Sequence, residues 1–221
     1  MRRRSRGGRT GAKTLTMNKL DALEKLGFKI SWKLVCLGLF GDAGIPPVLT
    51  RGEVIAYLTD SLIDVGGQID DIVRLICEEN DSAKFDARLR QLADGDSADT
   101  ALQKRKWRAY LLKNTLDNMS GDCLRGLLEL MEFWMSMGKP DDCPMIFPDR
   151  ADKESVQSYF TKEAYELQVM KNRGWLEEEI SGIIRLEKQR ALYIRGSKDR
   201  KLFYLPASMA AHSASRSSKG V

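Results

Sequence analysis

The residues best able to do chemistry are carboxylates crowded into one stretch, DSLIDVGGQIDDIVRLICEEND, from Asp60 to Asp81. A carboxylate pair can supply the acid and base of glycoside hydrolysis, but one member must be buried to raise its pKa and a cleft must separate the two. At about 100° per residue, Val54, Ile55, Leu58 and Leu62 converge on one helix face, and Glu53, Asp60 and Asp64 fall together on the opposite one. In the next helix Ile69, Ile72, Val73 and Ile76 are the expected buried face, with Cys77 at its margin, Asp70 at the flank, and Asp71, Arg74 and Glu78 opposite. Asp71 with Arg74 and Arg74 with Glu78 have the spacing of stabilising helix-surface pairs. Neighbouring acids on outward faces meet neither requirement of the glycosidase arrangement. The DD of QIDDIVR resembles the Asp-rich helices that bind magnesium diphosphate complexes, but no second acidic motif with suitable spacing accompanies it. The alternatives left for this stretch are a solvated face and a docking surface, with Glu53, Asp60, Asp64, Asp70, Asp71 and Glu78 as the candidate partner-binding residues.

Other catalytic equipment is sparse. The only histidine, His212, lies in a Ser/Ala-rich end, so the remainder of the chain holds no base for a Ser–His or Cys–His nucleophile. HExxH, GxGxxG and GxxxxGK[ST] do not occur. Cys36, Cys77, Cys123 and Cys143 are far apart, without a CxxC pair that would indicate zinc or redox chemistry. Three of them lie in apolar helical runs, where a free cysteine is expected to behave as a small core hydrophobe. No cofactor and no metal are expected.

Lys104 to Arg108, KRKWR, is the one basic and aromatic cluster. Bases around a tryptophan can grip phosphates and stack a nucleobase, yet this segment falls in an amphipathic helix whose core side is Leu102, Ala109, Leu112 and Leu116. A solvated basic face is the expectation, except for Arg105, which falls on the apolar side and is expected to reach an internal or interfacial acid.

The elements that carry these residues read as helices throughout. Asn18 caps NKLDALEKL, Ser31 caps SWKLVCLGLF, and Thr50 with Glu53 forms a capping box for RGEVIAYLTDSLID. GQIDDIVRLICEE, SAKFDARLRQLA, ADTALQKRKWRAYLLKNTLDN, DCLRGLLELMEFWMSMG, KESVQSYFTKEAYELQVMKNR and GWLEEEISGIIRLEKQRALYI follow, interrupted by the proline-rich loop KPDDCPMIFPDR. The helix from Cys123 to Met137 is apolar on nearly every side and is expected to run through the middle of the body. No dependable internal period is present. The fold class is all-α: a compact multi-helix domain, with irregular solenoid-like helix pairs as the other arrangement.

Charge is divided unevenly among three segments. Residues 1–16 carry six bases and no acid, and form an Arg/Gly-rich arm expected to be disordered. Residues 196–221 form a basic, Ser/Ala-rich tail. Met17 directly precedes the first helical pattern and is a candidate start, the arm being either an over-extended reading frame or a genuine basic extension. The net +5 of the 221 residues misrepresents the domain expected over 17–195. Removing the twelve bases and one acid of 1–16 and 191–221 from 36 and 31 leaves 24 and 30 for residues 17–190, a net of −6. Twelve acids against five bases lie between 51 and 100. No apolar run in the arm is long enough for a signal peptide or membrane helix, and a reducing cytoplasm is the expected compartment.

ISWKLVCLGLFGDAGI and YFTKEAYELQVMKNRGWLEEEI resemble segments of a bacterial family of small all-helical proteins classed as a domain of unknown function, over roughly Asn18 to Arg190. The resemblance implies a compact helical cytoplasmic protein and brings no catalytic residues. By analogy with families of this size and charge, the expected function is protein binding and inhibition, as an immunity protein docking an acidic helical face on a basic, nuclease-like toxin. The alternatives are a nucleic-acid-associated helical adaptor using the basic ends and KRKWR, and an enzyme with carboxylate-only chemistry.

Overall fold

A computed structural model describes residues 17–61, 69–148 and 159–203. The basic arm, Asp64 and the Ser/Ala-rich end lie outside the described residues. Eight helices are described: α1 (Lys19–Lys25), α2 (Trp32–Phe40), α3 (Arg51–Ser61), α4 (Ile69–Cys77), α5 (Ser82–Gly95), α6 (Thr100–Asn118), α7 (Cys123–Ser136) and α8 (Lys162–Phe203). No strand is present among these residues.

Short polar side chains start most of these helices by accepting bonds from first-turn N–H groups that have no partner within the helix. Asn18 accepts from Leu20 N at 3.0 Å and Ser31 Oγ from Leu34 N at 3.1 Å. Glu53 N donates to Thr50 Oγ1 at 3.2 Å while Glu53 Oε2 accepts from Thr50 N at 2.8 Å, completing the capping box. Asp81, Asp99 and Asp122 do the same for α5, α6 and α7.

The centre of the body is α6, which packs against α1, α2, α7 and α8. Contacts therefore run between helices distant in sequence, and the compact arrangement is the one found. Its buried residues, Leu102, Gln103, Lys106, Trp107, Ala109, Leu112 and Leu116, spread over roughly 220° of the helix circumference. Trp107 Nε1 donates to Leu34 O at 2.8 Å, and α2 approaches so closely here that a Cβ on Gly38 would stand 2.3 Å from Trp107 Cζ2.

Three sequence expectations are corrected. α7 does not run through the middle: Gly126, Leu127, Leu130, Phe133 and Trp134 are buried, but Leu124, Leu128 and Met135 are exposed. Hydrophobicity on all sides told only that the helix is apolar, and α6 took the central place by burying polar groups with partners. α4 is rotated from its expected orientation. Ile72 and Leu75 enter the core between α3 and α5, which turns Val73 and Cys77 outward. No cysteine is fully buried: Cys36 and Cys143 are half-buried against the core, Cys123 is half-buried and Cys77 is exposed.

The two expected C-terminal helices are joined. α8 continues through Gly174 and past residue 195 to Phe203. Glycine inside a helix costs only about 1 kcal/mol relative to alanine, and no neighbouring atom crowds Gly174 to force a turn.

Candidate functional site

The candidate partner-binding acids divide into engaged and free groups. Glu53 belongs to the first. Lys19 Nζ lies 2.6 Å from its Oε1, while Thr50 donates to its Oε2 from both backbone and hydroxyl. Burial pushes the Glu53 carboxyl up, but the Lys19 and Thr50 hydrogen bonds outweigh it and hold the group below its ordinary value. Its place on an outward stripe is therefore corrected: the carboxylate ties α1 to the start of α3. Glu78 is half-buried and pairs with Arg88 of α5 at 3.8 Å. Among the described residues neither expected pair with Arg74 forms, because the rotation of α4 brings Glu78 towards α5. Asp71 is half-buried as well. Asp60, near the end of α3, and Asp70, at the start of α4, are exposed and have no basic partner among the described residues.

KRKWR is not a solvated basic face. Lys104 Nζ is 2.7 Å from Asp42 Oδ2. Arg105 reaches the internal acid expected of it, donating from Nε and Nη2 to the two oxygens of Glu179 at 2.8 and 2.6 Å. Those bonds raise the guanidinium pKa further above its usual range. Arg108 forks onto Asp142 at 3.0 and 2.8 Å, touches Glu179 at 3.3 Å, and stacks 4.8 Å from the centre of the Trp175 ring. Lys106 is wholly buried, its ammonium donating to Lys29 O at 2.7 Å and Gln103 Oε1 at 2.9 Å, with Glu187 Oε1 at 2.6 Å. Burial pushes its pKa down, and Glu187 opposes the shift.

These contacts belong to a seam that periodicity did not reveal. Towards α6 and α7, α8 turns Gln168, Asn172, Leu176, Glu179 and Ile183, a buried stripe in which three of five residues are polar. Each polar member has a partner. Trp134 Nε1 donates to Asn172 Oδ1 at 2.6 Å, Ile146 N donates to Gln168 Oε1 at 3.3 Å, and Glu179 takes the two arginines. The legible signal was the Arg105 position on an apolar face; nothing local marked Glu179 as its acid.

Beside the seam is a cavity of about 240 Å³, lined by Ile30, Asp96, Ser97, Leu102, Lys106 and Glu187 among others. Its charged groups face one another. Glu187 Oε2 accepts from Lys29 N at 3.2 Å, and Asp96 accepts from Lys33 N at 3.1 Å and Ala98 N at 2.8 Å. With the three Lys106 hydrogens engaged, this arrangement fastens helices together. Among the described residues no cluster of three or more His, Cys, Asp or Glu could hold a metal ion, and no helix is long and apolar enough to cross a membrane.

Residues 20–180 match the family model described as an uncharacterized protein conserved in bacteria (DUF2247). The chain belongs to this family. The match spans α1 to the middle of α8 and so takes in Glu53, Asp60, Asp70, KRKWR and Glu179, while Glu187 lies just beyond it. No curated protein and no solved structure matches the chain.

Proposed function

We propose that this family member acts by binding another protein, as an inhibitor, and that its partner is a basic domain such as a nuclease toxin to which it confers immunity in the cytoplasm. The observation carrying the reading is an asymmetry between two segments of the chain. Every base of KRKWR is taken up by an acid of the same chain, whereas Asp60 and Asp70 are left exposed without a base among the described residues. A partner that binds polyanions is basic around its own site, and exposed acids raise both its rate of encounter and its selectivity. The same asymmetry leaves a nucleic-acid reading without KRKWR as a phosphate-binding surface.

The test replaces Asp60 and Asp70 together by Lys, with Glu177→Lys and Glu178→Lys on the exposed side of α8 as a control of equal charge change. Exposed substitutions cost about 0.5 kcal/mol or less each, so both variants are expected to fold. Each is co-expressed with a candidate basic nuclease-toxin domain, and survival and complex formation are compared. Loss of protection in the Asp60/Asp70 variant alone supports docking at α3 and α4. Full protection by that variant overturns it.

A further inference from the structure

The outer face of α7 is apolar, and no described residue covers it. Leu124, Leu128 and Met135 are 51%, 41% and 57% exposed, and Met131 lies half-buried between them. Their spacing of four, three and four residues is the one by which a helix meets another helix. At about 100° per residue the four fall within roughly 60° of one another, and the centre of the buried face lies roughly 130° away. The stripe therefore faces away from the buried side of α7. Arg125 and Glu132 border the stripe on its solvent side. The Arg125 side chain is 76% exposed although its Nε bonds Glu129 Oε1 at 3.1 Å, and Glu132 is exposed with no base beside it among the described residues.

We propose that α7 pairs antiparallel with α7 of a second copy of this chain about a two-fold axis. Charge selects this occupant. Setting Leu124 against the partner's Met135 and Leu128 against the partner's Met131 brings Arg125 opposite the partner's Glu132, and symmetry repeats the pair at the other end. A self-complementary patch of this kind is what a two-fold interface requires. A parallel pairing would align each residue with its own counterpart, and the arginine and the glutamate would not meet. The methionines adapt to an opposing surface through their flexible, polarisable side chains. The interface uses α7 alone and does not depend on the acids of α3 and α4.

Sedimentation equilibrium of the full chain tests the pairing across a wide concentration range. The wild type is expected to dimerise, and Leu128→Asp, at an exposed position, is expected to be a folded monomer. Arg125→Glu alone and Glu132→Arg alone should each raise the dimer Kd about tenfold, and the double exchange should bring it back to within about threefold of wild type. Thermal unfolding of each variant verifies the fold. A wild type that stays monomeric throughout, as when another segment or another protein covers the stripe, overturns the proposal. So does a dimer that survives Leu128→Asp, or a double exchange that fails to restore association.

Discussion

The Lys106 ammonium lies 2.6 Å from Glu187 Oε1 with the two side chains only 1% and 10% exposed, so a buried ion pair fastens α8 to the central helix. Removing one member of such a pair leaves the other charge buried and unpaired, which costs about 3–5 kcal/mol, whereas replacing both by apolar side chains is often neutral where no other buried group loses a partner. Lys106→Met is accordingly expected to destabilise the fold by about 3–5 kcal/mol. The double variant Lys106→Met with Glu187→Leu should recover only part of the loss, because Lys29 O and Gln103 Oε1 still lose their donor. Urea denaturation measures both, and a single variant as stable as wild type would show that the pair is solvated.

Glu53 makes a pH-dependent contribution to stability. Its carboxyl is held below the ordinary value in the fold by Lys19 and Thr50 against the opposing effect of burial. A carboxylate with a depressed folded pKa stabilises above its unfolded pKa and loses that contribution as pH falls through the folded one. Glu53→Gln is therefore expected to cost about 1 kcal/mol near pH 7, the usual scale of a cap or a partly exposed pair. The gap from wild type should close as the pH is lowered below the carboxylate range. Unfolding curves at neutral and acidic pH read this directly, and a constant gap would remove the charge of Glu53 from the explanation.

Thiol labelling separates the cysteines by position. Cys77 stands exposed at the end of α4 and is expected to react first with a disulfide reagent under native conditions. Cys36 and Cys143 are half-buried, and burial pushes both thiols up, so the reactive thiolate is scarcer at neutral pH. Cys77→Ser should abolish the fast phase; a fast phase that persists would mean that α4 does not present its cysteine to solvent.

Local features were legible from neighbouring residues alone. The caps at Asn18, Ser31 and Thr50 each use a side chain two or three positions from the N–H it satisfies, a distance fixed by chain geometry whatever packs outside. The all-helical class followed from the same short-range patterns. Among the candidate site residues, Asp60 is exposed as expected and Asp70, expected at the flank, is exposed too, whereas Glu53, Asp71 and Glu78, expected on outward faces, are half-buried. Their partners, Lys19 and Arg88, sit on other helices, and no spacing within α3 or α4 points to them.

The sequence by itself determined where the first three helices start, that helices fill the described body, and that Arg105 needed an acid. Tertiary structure decided which faces became the interior. Periodicity shows which residues share a face of an isolated helix, but α4 turned Leu75 inward at the expense of Val73, and α7 left Leu124, Leu128 and Met135 outside. Polar burial along α8 was equally undetermined. Gln168, Asn172 and Glu179 are tolerable in the core only because Ile146, Trp134, Arg105 and Arg108 arrive from other parts of the chain with hydrogen bonds to offer. The cost of burying a polar group depends on partners distant in sequence, and those partners are supplied by the fold.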